Sequence, residues 1–272
     1  MAKRTFSFVI LWSLVLLCLR YFGATGAVWL ITAISVLTLR EFYAMVGRMG
    51  FRPFRGLGLV LGAAITLAPR YFEPALSGAD LLALGVIAAA VRLLGERSPA
   101  ERVETLAGTI LGLVYVPFML QFLVRVLLIA APHPHTGIVL GLWLIAVTKF
   151  CDSGALLTGL AIGRHKLAPE ISPKKTWEGV AGGLLVAVAV GAALAWGCRA
   201  WLPASFTPLF AAALAVPLAA AGIISDLIES IIKRRADIKD AGHTIPGIGG
   251  VFDLSDSLIL AAPIGWMVFH LL

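Results

Sequence analysis

The feature that most constrains this chain is the way its apolar residues come in runs. Charge-poor stretches occupy 6–23, 26–40, 56–70, 79–94, 105–131, 137–162, 178–199, 207–232 and 255–272, each closed off by charged or turn-forming residues. Inside a bilayer such a stretch has no water to satisfy its amides, so it must be an α-helix or a strand of a closed barrel. Barrel strands alternate apolar and polar positions, and these runs do not. The expectation is an all-α, polytopic membrane protein with about nine transmembrane helices. Composition agrees where it bears on the point: 60% of the 272 residues are hydrophobic, only 14% are charged, and the mean hydropathy is +0.95.

Lys3 and Arg4 followed by FSFVILWSLVLLCL also resemble the charged and apolar regions of a signal peptide. With further apolar runs behind it, an uncleaved first span is the reading adopted. A cytoplasmic N-terminus puts the loops 40–55, 92–105, 163–178 and 233–252 on its own side, and with Lys3 and Arg4 they hold 17 of the 22 Lys and Arg. That asymmetry is the positive-inside pattern. It sends Asp152, the loop 163–178 and the segment 225–257 toward a cytoplasmic-facing polar cavity in the C-terminal half. The chain then reads as one membrane domain, with an N-terminal helical scaffold over 1–105 and a C-terminal catalytic half over 106–272. A net charge of +7 suits anionic lipid headgroups; nucleic acid is not an expected partner. Cys18, Cys151 and Cys198 lack CxxC spacing, so neither a zinc site nor a disulfide framework is expected.

Chemistry concentrates in SDLIESIIKRRADIKDAGHTIPGIGGVFDLSDS (Ser225–Ser257), which packs six carboxylates and four Lys or Arg into an otherwise lipid-like chain. An acid at the centre of a membrane helix costs about 2.5–3.5 kcal/mol on insertion scales, so it normally faces a cavity, a partner or an ion. Asp226, Glu229 and Lys233 fall at i, i+3 and i+7, and Asp253 and Asp256 at i, i+3. Paired carboxylates such as Asp226 and Asp253 suit Mg²⁺, which takes one or two and leaves its other positions to water and phosphate. The competing reading is membrane ion pairing with Lys233 and Lys239. It does not explain why Glu229, Asp240 and Asp256 accompany them.

Lys174 and Lys175 follow Pro173 just ahead of a helix start at Thr176–Trp177–Glu178. With Ser172, Thr176 and the helix N-terminal amides, that loop is suited to a phosphate. Lys233, Arg234, Arg235 and Lys239 lie across the second loop, where Arg235 reads as a topology signal. The turn Pro246–Gly250, which includes Gly249 and Gly250, permits close backbone approach to a ligand. There is no GxxxxGK[ST], so any nucleotide is held without a P-loop. His243 is either a phosphate donor or a solvated loop residue. His133 and His135 read as loop, Arg40 and Glu41 as interfacial anchors, and Gly179, Gly182, Gly183 and Gly191 as close helix packing.

Asp152–Ser153–Gly154–Ala155, Gly163–Arg164, Ile171–Gly179 (ISPKKTWEG) and SDLIESIIKR…KD.G…PG.GG..D..DS stand in order between residues 152 and 257. Glu41–Phe42–Tyr43 adds an ExFY-like element. Together they resemble the phosphatidate cytidylyltransferase family, the CDP-diacylglycerol synthases; the first 100 residues otherwise agree only in hydropathy. The resemblance implies transfer of CMP from CTP to phosphatidate, giving CDP-diacylglycerol and pyrophosphate, with Mg²⁺ and a monovalent cation such as K⁺. It implies metal binding at Asp226 and Asp253; Glu229 and Asp256, at helical spacing beside them, are candidate further ligands. It also implies phosphate and nucleotide contacts from Lys174, Lys175, Lys233, Arg234, Lys239 and Asp240, a homodimer, and a bacterial inner-membrane setting. Asp152, Thr176, His243, Gly249 and Gly250 complete the expected substrate contacts. Where many members read PGHGG and DR, this chain has Ile248 and Leu254, which removes an imidazole and a guanidinium and leaves His243 or Arg235 as substitutes. Two other functions stay open: a CTP-dependent polyprenol or phytol kinase with Asp152 or Asp240 as base, and a cation or phosphate transporter. Against the transporter stand the missing inverted repeat and the one-sided charge.

Overall fold

A computed structural model describes residues 2–95, 102–242, 244 and 249–272, with the side chains of 2–12, 14 and 16 excepted. In chain order the elements are α1 (Ala2–Arg48), α2 (Arg55–Tyr71), α3 (Gly78–Leu94), α4 (Arg102–Leu113), a π-helical turn at Val114–Phe118, and α5 (Met119–Leu127). They continue with α6 (Thr136–Ile162), β1 (Lys166–Ala168), β2 (Ser172–Thr176), α7 (Trp177–Gly197), α8 (Pro208–Arg235) and α9 (Phe252–Phe269). The first two expected spans run together in α1, where two helices meet at Gly23, whose φ of 55° and ψ of −138° are open to glycine. Pro117 sits in the π turn, where its missing N–H withdraws one bond from the ladder.

Among the described residues six segments are long and apolar enough to cross a membrane: Leu17–Arg48, Arg102–Leu127, Thr136–Ile162, Trp177–Gly197, Pro208–Arg235 and Phe252–Phe269. Helices α2 and α3 have 17 residues each, which at 1.5 Å per residue is about 25 Å, short of a hydrocarbon core of about 30 Å. The side chains agree with a lipid setting. Leu160, Leu185 and Leu209 are 78%, 72% and 82% exposed, a pattern an aqueous helix avoids and a bilayer favours. The chain is an integral membrane protein, mostly helical.

One departure from an all-α fold lies at 163–178, expected as loop. Pro169 presets the turn Ala168–Ile171, in which the Ile171 amide donates to the Ala168 carbonyl at 3.2 Å, and β1 pairs antiparallel with β2. The hairpin is fastened to α7 by Glu178, whose carboxylate accepts from the Arg164 amide at 3.1 Å and meets the His165 ring nitrogen Nδ1 at 2.6 Å.

The chain folds as two compact units, Met1–Arg125 with Ile232–Ser255, and Val126–Ile231 with Asp256–Leu272. The core of the first is aromatic: Phe42 packs against Tyr43, Tyr115 and Phe252. Gly58 and Gly112 admit the buried Tyr43 side chain, since a Cβ at either would stand 2.3 Å from one of its atoms, and the Tyr43 hydroxyl donates to the Thr109 carbonyl at 2.9 Å. In the second unit Trp143, Phe206 and Phe269 pack edge to face. There α6 and α7 approach closely along glycines, as expected of small residues: a Cβ on Gly183 would lie 2.7 Å from the Cys151 carbonyl, and one on Gly182 would lie 2.1 Å from Thr158 Oγ1.

Candidate active site

In the second unit three of the four expected acids come together; Asp253, the expected partner of Asp226, belongs to the first unit. Asp226 and Glu229 share a face of α8 because they are three residues apart, and Asp256 lies on α9. One oxygen from each lies within 4.8 Å of the others. Glu229 and Asp256 are buried and Asp226 is half-buried. Like charges at that separation repel by roughly 3 kcal/mol per pair at an effective dielectric of about 20, so the arrangement favours nearby cations. Two lysines supply part of them. Lys175 Nζ stands 2.6 Å from Asp226 Oδ2, and Lys149 Nζ stands 3.3 Å from Asp256 Oδ1 and 3.6 Å from Asp152 Oδ2. Lys149 also donates to Ser257 Oγ at 2.7 Å.

The hairpin decides which of two adjacent lysines reaches this cluster. Successive side chains on a strand point to opposite faces; Lys175 is half-buried against Asp226 and Lys174 is exposed. Thr176 is the N-cap of α7, its hydroxyl accepting from the Gly179 amide at 3.1 Å. Lys175→Ala should therefore lower the melting temperature by a few degrees as well as slow turnover. The lost pair is worth roughly 1–3 kcal/mol here, below a fully buried pair because each side chain is about a quarter exposed. Lys174→Ala should change activity with no shift in melting, and Lys166→Ala, on the exposed face of β1, should change neither. Differential scanning fluorimetry and turnover on the three variants check this; equal melting shifts at 174 and 175 would refute the assignment.

The first unit holds the other expected residues. Asp253, in the first turn of α9, accepts from Lys233 Nζ at 2.9 Å and from the amides of Ala241 at 3.2 Å and Gly250 at 2.7 Å. The ion pair with Lys233 is the one the competing reading anticipated, yet the two amides make Asp253 also the clasp of the segment before α9. Gly249 has a φ of 125°, and a Cβ there would stand 2.8 Å from Asp253 Oδ2. Glycine is thus required at 249 twice over. Lys239 and Asp240 are exposed in the same segment, and Arg234 is exposed at the end of α8. His243 and Ile248 lie outside the described residues.

Two polar residues beside these groups were not assigned there by the sequence reading. Glu41 is not an interfacial anchor: it is 8% exposed, accepting from Thr244 Oγ1 at 2.6 Å and from the Phe252 amide at 2.8 Å. Gly242 and Gly250 leave room for it, since a Cβ at either would stand within 2.6 Å of a Glu41 oxygen. The other is Lys149. Its signal was present, because a lysine in an apolar span three residues before an aspartate seldom faces lipid.

Chemically, each unit presents carboxylates held by lysines and amides, the equipment for binding a cation and polyphosphate anions. Residues 2–272 match the family described as Cytidylyltransferase family. A Haemophilus influenzae protein named phosphatidate cytidylyltransferase is 36% identical over 149 residues, covering 53% of this chain and 52% of that one. One of the same name from Thermotoga maritima is 32% identical over 191 residues, 66% of this chain and 65% of the relative. A Rickettsia bellii protein, again of that name, is 32% identical over 214 residues, 76% and 85% of the two chains. The match thus spans about half to two thirds of the first two relatives and more of the third.

Proposed function

Because this chain belongs to the cytidylyltransferase family, we propose that it transfers CMP from CTP to phosphatidate, leaving CDP-diacylglycerol in the bilayer and releasing pyrophosphate. The observation that carries this beyond the family is the group of three carboxylates, Asp226, Glu229 and Asp256, within 4.8 Å of one another among lysines on apolar helices. A lipid substrate keeps its chains in the membrane while its phosphate meets such charge.

The donors fit a hard divalent cation, being carboxylate oxygens in a group whose mutual repulsion a cation relieves. Mg²⁺ would be held by Asp226, with Glu229 and Asp256; the family resemblance implies a metal ligand at Asp253 as well. When bound it neutralises phosphate charge and favours departure of pyrophosphate. The remaining work belongs to the chain's own groups. A phosphate oxygen of phosphatidate, already ionised at neutral pH, attacks the α-phosphorus of CTP as the bond to the β-phosphate oxygen breaks, so no base need generate the nucleophile. Catalysis is then positioning and charge neutralisation, which falls to Lys174, Lys175, Lys233, Arg234 and Lys239. Asp253 keeps Lys233 in place, and Asp240 contacts the nucleotide. A monovalent cation such as K⁺ belongs to the same proposal.

The finer topology is also proposed: nine crossings, counting two in α1 and the short α2 and α3, with the N-terminus and the reaction facing the cytoplasm, in the inner membrane of a bacterium and as a homodimer. It is supported by the distribution of Lys and Arg. The deciding experiment incubates purified protein with CTP and phosphatidate and identifies the products. Pyrophosphate with CDP-diacylglycerol is expected; CDP formed with a polyprenol or phytol acceptor would replace the proposal with a lipid kinase.

A further inference from the structure

The first unit contains a cavity of about 270 Å³ between the C-terminal end of α1 and the segment before α9, lined by Met45, Arg48, Ile238, Lys239, Asp240 and Gly242 among others. It is below the roughly 300 Å³ at which sites for whole drug-sized ligands begin, a scale suited to one ring with part of a sugar. Its chemistry is mixed. Met45 and Ile238 supply apolar surface, Arg48 and Lys239 supply donors, and Asp240 supplies an acceptor. A carboxylate in the lining disfavours a phosphate chain, whereas a flat heterocycle with one donor edge and neighbouring acceptors uses all three kinds of group. The wall is also fixed in place: Gly242 lies against the buried Glu41 carboxylate, and Asp253 accepts from the Ala241 amide beside it.

We propose that this cavity takes the cytosine base of the nucleotide, with Asp240 accepting from the exocyclic amino group and Arg48 donating to the ring's carbonyl and N3 acceptors. The assignment rests on the cytidylyltransferase reading and extends it to Arg48, a residue no motif singled out. Carboxylates accept from the cytosine amino group in other recognition settings. Uracil presents an acceptor where cytosine presents that donor, so Asp240 would face a carbonyl and be left unpaired. A site that discriminates by hydrogen bonding rejects the mismatched ligand strongly. Lys239 is left for the phosphate that follows the sugar.

The test uses full-length protein in detergent and nucleosides without phosphates, so that binding reads the base alone. In the wild type, cytidine should compete with CTP at least about ten-fold better than uridine. Asp240→Asn should bring the two nucleosides within about three-fold of each other, and Arg48→Ala should weaken cytidine by about ten-fold or more while inhibition by pyrophosphate stays unchanged. Where the variants turn over, KM for phosphatidate should not move. A wild type with no preference for cytidine, or a preference that survives both substitutions, overturns the proposal. So does an Arg48→Ala variant in which pyrophosphate is weakened as much as cytidine, which makes the cavity a phosphate site. Failure of the wild type to form CDP-diacylglycerol, with nucleoside selectivity intact, overturns the enzymatic reading and leaves the base assignment standing.

Discussion

Asp226→Asn should reduce CDP-diacylglycerol formation by a few hundred-fold or more while the protein still folds. A metal ligand contributes several kcal/mol to stabilising charge in the transition state, and each 1.36 kcal/mol is a factor of ten in rate. Asparagine keeps the shape and one oxygen beside Lys175 Nζ, which stands 2.6 Å from Asp226. The fold is therefore expected to survive, with a melting temperature within a few degrees of the wild type. The second signature is loss of the protection against thermal unfolding that added Mg²⁺ is expected to give the wild type, since a ligand stabilises only the state that binds it. Wild-type turnover in Asp226→Asn, or undiminished Mg²⁺ protection, would remove this carboxylate from the metal site.

The next largest effect is expected at Glu41, through structure rather than contact with substrate. Glu41→Ala removes two hydrogen bonds to a buried acceptor, each worth about 0.5–1.5 kcal/mol. It leaves the buried Phe252 amide without the partner now at 2.8 Å and opens space beside Gly242 and Gly250. Melting should fall clearly, and turnover by ten-fold or more, because Phe252 begins the helix that carries Asp253 and Asp256. Glu41→Gln keeps the length and one carbonyl oxygen, and the Thr244 hydroxyl can turn to accept from its amide, so most stability and activity should return. If Glu41→Ala melts with the wild type, the carboxylate does not hold the segment before α9.

How much was legible beforehand depends on the residue. Asp226 and Glu229 were paired by number alone, because an α-helix brings positions three apart to one face. Thr176 was legible as a helix start for the same local reason, its side chain reaching its own third neighbour's amide. Lys174 and Lys175 were not separable from sequence. Both are lysines after Pro173, and the strand register alone turns one toward Asp226 and leaves the other exposed. Glu41 was misread because an acid beside an arginine at the end of an apolar run has the same local signature whether it faces headgroups or is buried. The partners that distinguish the cases, Thr244 and Phe252, stand more than 200 positions away in the chain.

What the sequence alone determined follows from short-range physics. Apolar runs without alternation must be helices in a bilayer, and the ordered motifs between residues 152 and 257 resemble one family. What only the tertiary structure decided depends on contacts between positions far apart. It put Asp256 with Asp226 and Glu229, drew Lys149 to Asp256 across 107 positions, and folded residues 232–255 into one unit with the N-terminal helices. Hydropathy reports whether a segment prefers lipid, and it is blind to which segment a buried charge will meet. That choice is made by the pairing of charges that cannot remain alone in a medium of low dielectric.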